Sequence, residues 1–313
     1  MTTLSDCLTE IAVIFPEMTD PDTKVEAIPL TDGFSNRVYL ICWRGVSRLV
    51  LRIPGTEETI FYIDRAVERI ILRHAVSAGL SPDVVWYNAS GCMASRFVPQ
   101  PSLAWTVRHN DNAIRRIASI LKQVHALPAK GRYYSVFEVI QQYLNSIANR
   151  LSGARFINDE AHLESRLTLQ KEYDYLVLIF HQLRAPEQLL PRVLCHNDIN
   201  PKNLLMDDAD LWVIDWEYAG IGDPLFDLAV VARSHNLDTD QQKHLLYAYD
   251  ESLFDRVSQK RIKEAMQIYM CAYGVREMVW MLLKYMTTSD QTFWMAYQDF
   301  KCSARLNPFY DSL

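Results

Sequence analysis

The chain has 313 residues, 49% of them hydrophobic and 22% charged, with 32 basic against 38 acidic side chains and a formal charge of −6. That hydrophobic content with so small a net charge excludes a largely disordered chain. An acidic balance without a basic tract excludes nucleic acid as the main partner, and the length suits one large domain or two modest ones.

Residues 11–15 form a short apolar run that reads as a helix, followed by an acidic, proline-bearing turn. From residue 27 to 54 the pattern turns to strands, with β-rich runs at 38–41 and 49–53 around the turn signal Arg44-Gly45. Residues 60–78 read as a helix, with Ile63, Val67, Ile70 and Ile71 three or four apart, Gly79 closing it and Pro82 beyond. Two further strands are expected at 84–87 and 94–98, joined by a turn at 88–91. Beyond Pro101 the texture becomes helical. Residues 113–127 carry Ile114, Ile117, Ile120, Leu121 and Val124 on one face, and 136–151 and 161–183 read as two more helices. Most of the remaining C-terminal sequence is helical too, including 275–285. One compact non-helical island, 193–227, interrupts this part. The pattern predicts an α+β chain: a small antiparallel β-rich lobe with one helix at 1–100, and a larger, mostly α-helical lobe at 101–313.

The cysteines, Cys7, Cys42, Cys92, Cys195, Cys271 and Cys302, include no Cys-x-x-Cys pair and read as scattered reduced thiols. Residues 1–10 lack the basic and apolar segments of a secretory signal. No apolar run approaches the ~18 residues of a membrane span, so a cytoplasmic protein without a span is expected.

The island carries the chemistry. It contains His196-Asn197-Asp198-Ile199-Asn200-Pro201-Lys202-Asn203, then Leu204-Leu205-Met206, the turn Asp207-Asp208-Ala209-Asp210, and Leu211-Trp212-Val213-Ile214-Asp215. Pairing 204–206 with 211–214 as a hairpin brings Asn203 and Asp215 to one end, with Asp198 on the loop that feeds it. Singly, Asp198 and Asp215 read as turn carboxylates. Together they match His-x-Asp-x-x-x-x-Asn followed by a second Asp after a strand. In phosphoryl transfer the first Asp takes the acceptor's hydroxyl proton, while the Asn and second Asp hold Mg²⁺. Mg²⁺ prefers a few hard oxygens and leaves the rest of its shell to water and phosphate. His196 is expected to brace the loop by hydrogen bonding. Asp227 reads as a helix N-cap before Leu228, or as a second brace of the loop.

Those residues, with Ile214-Asp215-Trp216-Glu217-Tyr218, resemble the choline/ethanolamine kinases, the bacterial choline kinases above all. That family lies in the aminoglycoside-phosphotransferase and protein-kinase-like superfamily. The resemblance extends along most of the chain. Asp32-Gly33-Phe34-Ser35-Asn36-Arg37-Val38-Tyr39 is similar to the family's nucleotide loop. Leu51-Arg52-Ile53 is similar to its strand with Arg in place of Lys. Arg65-Ala66-Val67-Glu68 is similar to its partner helix, and Ser95-Arg96-Phe97-Val98 to its inter-lobe strand. The resemblance implies a protein-kinase-like two-lobe fold with Mg²⁺ and ATP. ATP would be handled by Ser35, Asn36, Arg52, Glu68 and Arg96, and the metal by Asn203 and Asp215, with Asp198 and His196 as catalytic residues. The residues by themselves agree on Arg52: Lys24 is the only lysine before residue 101 and stands outside the strands, so Arg52 is the strand cation, able to grip phosphate.

Choline kinases hold their quaternary ammonium in an aromatic box. Here the expected acceptor residues are Glu217, Tyr218, Glu277, Trp280, Trp294 and Tyr297. Family members often pair two tryptophans three residues apart, whereas Glu277 stands three before Trp280. The acceptor is therefore expected to be choline or a related amino alcohol, with ethanolamine, thiamine, a hydroxy amino acid and an aminoglycoside open as alternatives. A pseudokinase acting as a binding module is a further alternative, as is a homodimeric assembly.

Overall fold

The computed structural model describes residues 2–30, 36–55, 60–153 and 160–310. Helix α1 (Leu4–Ile14) opens on a capping box, in which the Thr3 hydroxyl accepts from the Asp6 amide and the Asp6 carboxylate accepts from the Thr3 amide. This cap, and not the apolar run at 11–15, fixes where the helix begins. Five antiparallel strands follow, β1 (Val25–Leu30), β2 (Asn36–Trp43), β3 (Val46–Pro54), β4 (Val84–Tyr87) and β5 (Met93–Arg96), in the order β1-β2-β3-β5-β4. Cys7 and Ile11 of α1 pack on one sheet face against Ile41, Trp43, Leu49, Leu51, Ile53 and Trp86. Because strand side chains alternate, burial of Leu51 and Ile53 under α1 sends Arg52 to the opposite face. Val38 and Met93 stand beside Arg52 in the register.

Helix α2 (Arg65–Ser77) connects β3 to β4. The Asp64 carboxylate accepts from the Ala66 and Val67 amides, so the helix starts later than the expected residue 60. The C-terminal part holds α3 (Asp111–His125), α4 (Val136–Ser152), α5 (Glu160–His181), α6 (Pro224–Ser234), α7 (Thr239–Tyr249), α8 (Leu253–Arg256), α9 (Gln259–Thr288) and α10 (Gln291–Lys301). Helix α9 runs through the middle of this core and packs on α4, α6 and α10. Burial of Met270, Tyr273, Val275, Met278, Val279 and Leu283 runs round the whole helix and leaves it no single apolar stripe.

Two small hairpin-like pairs occupy the island. Strands β7 (Leu204–Met206) and β8 (Leu211–Val213) pair antiparallel with Leu204 opposite Val213, as the sequence predicts. Their turn is tightened by the Asp207 carboxylate, which accepts from the Ala209 and Asp210 amides. Strand β6 (Val193–Cys195) pairs with β9 (Gly220–Gly222), which the sequence does not announce. Glycine has poor strand propensity, yet here it is required: a Cβ on Gly220 would lie 2.8 Å from the Arg132 carbonyl. The island also ends earlier than residue 227. Asp223, not Asp227, is the N-cap of α6, accepting from the Leu225 amide, and Asp227 falls inside the first turn.

The segment after β5 is stitched onto the hairpin: the Leu103 amide donates to the Leu204 carbonyl and the Met206 amide to the Pro101 carbonyl. The Val213 amide donates to the Leu80 carbonyl, 2.8 Å away. The end of β8 is thereby held against the loop leaving α2, and the faces bearing Arg52 and Asp215 are brought together.

Gly274 lies in α9 where an added Cβ would meet Pro308 Cδ at 2.8 Å and the Leu306 carbonyl at 3.3 Å. Alanine usually strengthens a helix. Gly274→Ala is expected instead to destabilise the protein by about 1–3 kcal/mol through overpacking, read as a lower melting temperature.

Candidate active site

The loop between β6 and β7 is held from behind by one carboxylate. Asp227 is fully buried and accepts from the His196 amide at 2.8 Å, the Asn197 amide at 2.7 Å and His125 Nε2 at 3.0 Å. Burial works to raise its pKa, but the His125 hydrogen bond and the neighbouring donors outweigh burial and hold it below the usual carboxylate range. Asn197 takes the left-handed conformation at φ 65°, which asparagine tolerates better than most residues. Its Nδ2 donates to the Tyr218 carbonyl at 3.0 Å. His196 Nε2 donates to the Ile214 carbonyl at 3.0 Å while Nδ1 accepts from the Asp198 amide at 3.3 Å. These two bonds fix a neutral tautomer, and burial lowers the imidazole's pKa. His196 therefore braces the loop rather than reaching the cavity.

Asp198, Asn203 and Asp215 converge on one cavity, as the hairpin geometry predicts. Both Asp198 oxygens are engaged. Oδ2 accepts from Asn203 Nδ2 at 2.9 Å and Asn200 Nδ2 at 3.2 Å, and Oδ1 accepts from the Arg276 guanidinium at 2.7 Å. With its amide nitrogen also donating to the Asp198 carbonyl at 2.8 Å, Asn203 keeps its carbonyl oxygen for a cation. Asp215 sits at φ 64°, two residues past the end of β8. Its Oδ1 is buried without a hydrogen-bond partner among the described residues, and Arg52 stands 3.5 Å from it. Burial, then the nearby Glu217 charge, pushes the Asp215 carboxyl well above its ordinary pKa. A buried carboxylate oxygen that lacks a hydrogen-bond donor, lining the same cavity as an amide oxygen, belongs to the donor set a small hard divalent cation takes. These residues fit Mg²⁺.

Buried charges connect this metal side to the sheet. Arg52 and Glu68 form a two-pronged pair at 2.5 and 2.9 Å, both almost wholly buried. Arg65 donates to Glu68 at 2.7 Å and to Glu217 at 3.1 Å, and Glu217 also accepts from Asn36 Nδ2 at 3.1 Å. The result is a chain of alternating charge from β3 through α2 to the turn after β8. The two guanidiniums overcome burial and keep the Glu68 carboxyl below its usual range.

The opposite wall of the cavity includes Trp105, Tyr143, Tyr218, Arg276, Glu277 and Trp280. Trp280 Nε1 donates to the Tyr218 hydroxyl at 3.2 Å. Arg276 donates to Glu277 Oε1 from both Nε, at 3.0 Å, and NH2, at 2.8 Å. Burial, with Asp198 nearby, raises the Glu277 carboxyl's pKa despite Arg276. Behind Trp280, the Lys284 ammonium lies 5.2 Å from the ring centre of Phe61, 5.7 Å from Trp280 and 5.6 Å from Phe293. Burial brings its pKa down to about 8.

Several expected residues lie elsewhere. Ser35 falls outside the described residues. Arg96 points away from the cavity, largely exposed, its Nε 3.8 Å from Asp83. Its neighbour Ser95 lines the cavity instead, because successive strand residues face opposite sides. Glu217 is not in the acceptor wall; Arg65 and Asn36 hold it. Trp294 and Tyr297 are packed along α10, where Trp294 meets Tyr285 and Tyr297 with tilted rings and the Tyr297 hydroxyl donates to Glu172 at 2.6 Å. Asn36, Arg52, Glu68, Asn203, Asp215, Tyr218, Glu277 and Trp280 all belong to the cavity or to the charge chain behind it. Sequence reasoning missed Arg276 and Tyr143, and it named Arg65 only within the segment Arg65-Ala66-Val67-Glu68, without a role of its own. No motif marks Arg276 or Tyr143, although an arginine within a largely apolar helical stretch was a signal for Arg276.

The profile of the phosphotransferase enzyme family matches residues 26–261. Protein LicA of Haemophilus influenzae is 28% identical over 220 residues, which is 69% of this chain and 60% of that relative, so the chain spans less than two thirds of its length. A choline/ethanolamine kinase family protein from Mesorhizobium loti superposes with a TM-score of 0.64 at 22% identity, covering 99% of this chain and 97% of that one. The choline kinase LicA from Streptococcus pneumoniae gives a TM-score of 0.61 at 19% identity, covering 93% of this chain and 97% of that one. At these identities the superpositions establish the two-lobe, kinase-like α+β fold.

Two measurements test the electrostatics. Glu68→Gln takes the two-pronged carboxylate from buried Arg52 and leaves Arg65 its bond to Glu217, and is expected to cost about 3–5 kcal/mol in a denaturant titration. His109 Nε2 donates to His235 Nδ1 at 2.9 Å, since His235 Nε2 must donate to the Ile199 carbonyl at 3.2 Å. Burial and His109 hold the His235 pKa down to about 3 from an ordinary 6.5. The unfolded chain therefore binds a proton that the folded one refuses, and stability is lost as pH falls from 6.5 towards 3. The melting temperature is expected to drop through that window, and less steeply in His235→Asn.

Proposed function

This chain belongs to the phosphotransferase enzyme family, and from that premise we propose that it transfers the γ-phosphoryl group of ATP, with Mg²⁺, to the hydroxyl of choline or a closely related amino alcohol. The observation that carries this is the meeting of Asp198, Asn203 and Asp215 with Tyr218, Glu277 and Trp280 around one cavity. Carboxylate and amide oxygens suit a metal–phosphate end, and two rings with a carboxylate suit a small cation. The Streptococcus pneumoniae structure described as a choline kinase supports choline as the first acceptor to try. Residues 1–100 serve in this scheme as the nucleotide lobe and 101–313 as the catalytic and acceptor lobe. No helix among the described residues is long and apolar enough to cross a membrane, which suits an enzyme of the cytoplasm using ATP there.

Asp198 accepts the acceptor's hydroxyl hydrogen and turns the oxygen towards the phosphorus. The new O–P bond forms as the bond to the β-phosphate oxygen breaks, and ADP leaves. Asn200 and Asn203 on one carboxylate oxygen and Arg276 on the other prevent Asp198 from rotating out of line. Arg52, fixed by Glu68, presents positive charge where phosphate oxygens gather. Asn203 and Asp215 would hold Mg²⁺, which supplies neutralisation of phosphate charge. Positioning and fixed charge account for most of the catalysis of such transfers.

ADP release with Mg²⁺ and ATP should be measured against choline, ethanolamine, thiamine and an aminoglycoside. Choline or ethanolamine is expected to stimulate release, and Asp198→Ala to lower the stimulated rate on the order of 100-fold or more. Stimulation by thiamine or the aminoglycoside alone would move the acceptor. Intact ATP binding without stimulation by any acceptor would make the chain a binding module.

A further inference from the structure

Arg276 is buried in the wall of the cavity and spends its guanidinium on four partners. NH2 donates to Asp198 Oδ1 at 2.7 Å and to Glu277 Oε1 at 2.8 Å, NH1 to the Asn197 carbonyl at 2.6 Å and the Tyr134 hydroxyl at 3.2 Å, and Nε to Glu277 at 3.0 Å. The rings of Tyr218, Phe226 and Tyr273 surround it, their centres 5.9, 5.8 and 5.1 Å from the guanidinium carbon. A structural arginine needs only to satisfy its donors. Here a single nitrogen joins the proposed hydroxyl-orienting carboxylate to the one carboxylate of the acceptor wall.

The geometry points to Arg276 as a positioning residue of the transfer reaction: one guanidinium aims Asp198 at the acceptor's hydroxyl and Glu277 at the acceptor's cationic nitrogen. This role rests on the amino-alcohol reading above and extends it to a residue whose hydrogen-bond partners include neither Asn203 nor Asp215. Two carboxylates that share one donor nitrogen stand close enough to repel strongly in a partly desolvated pocket. The guanidinium between them offsets that repulsion and fixes their spacing. Lysine cannot take its place. A single ammonium has no planar fork, so it cannot hold the Asn197 carbonyl, Asp198 and Glu277 in these directions together. Glu277 lines the same cavity and remains about a fifth exposed there. A cation arriving from the cavity therefore meets a carboxylate already braced from behind.

The test uses the full chain with Mg²⁺ and ATP, and choline or ethanolamine, whichever the unsubstituted protein turns over. Arg276→Lys is expected to lower kcat at least tenfold and to raise the acceptor KM at least fivefold, while the ATP KM stays within twofold. Arg276→Ala is expected to lose more, and added guanidinium ion to restore at least tenfold of its rate by entering the ring-lined space. A purely structural role moves melting temperature and ATP binding together and shows no such rescue. If Arg276→Lys keeps kcat and acceptor KM within twofold, the positioning role is overturned. It is overturned equally if both variants weaken ATP and acceptor alike and guanidinium restores nothing. Should Arg276→Ala not fold, the Arg276→Lys split of acceptor KM and kcat against ATP KM decides alone. An unsubstituted protein that binds ATP but turns over neither alcohol overturns the amino-alcohol reading itself, and this role with it.

Discussion

The side of the cavity that carries Arg52 and Asp215 depends on a buried chain of charges: Arg52, Glu68, Arg65 and Glu217. Taking any one of these groups out of water alone costs several kcal/mol, so each is tolerable only while its partner is in place. That makes the chain a constraint on geometry more than a source of net stability. It obliges β3, α2 and the turn after β8 to keep one relative placement, with Asp215 3.5 Å from Arg52. Fixed charge of this kind is what a phosphate site needs, because it requires no rearrangement when the ligand arrives.

The loop bearing Asp198 is fixed by a different device. Asp227 satisfies two consecutive loop amides and one imidazole from inside the core, while His196 reaches forward to the carbonyl that precedes Asp215. The loop is thus tied to α6 behind and to β8 in front. His109 and His235 add a third tie through the Ile199 carbonyl. All these groups are buried and hydrogen-bonded, and a network of that sort specifies one arrangement because any alternative leaves a polar group unsatisfied.

The acceptor wall shows where charge and aromatic surface have divided the work. Trp280 and Tyr218 reach the cavity, but the rings behind Trp280 surround the chain's own Lys284 ammonium. Trp294 and Tyr297 serve the packing of α10. The carboxylate of Glu277 replaces one ring of the expected box, and Arg276 holds it. On the proposed reading, a cation would meet fewer rings and more fixed negative charge than an aromatic box presents.

The sequence alone determined the spacing of the candidate site. Asp198, Asn203 and Asp215 lie on one short loop and one hairpin, and local chain geometry suffices to bring them together. Arg52 and Glu68 were legible through the family resemblance, and Arg52 also because the only lysine before residue 101 lies outside the strands. Glu217, Arg96, Trp294 and Tyr297 were misplaced because which face a side chain takes is settled by packing: the side of a strand, a buried arginine nearby, a neighbouring helix. Arg276 was decided wholly by the tertiary structure, and for Asp227, which the sequence offered as a helix N-cap or a loop brace, the tertiary structure settled on the brace. Their partners lie 78 and 31 residues away, and only the folding of α9 and α6 onto the loop brings donor and acceptor within hydrogen-bond reach. Hydrogen bonds act over about 3 Å, and no periodicity in the chain records which distant residues will come that close.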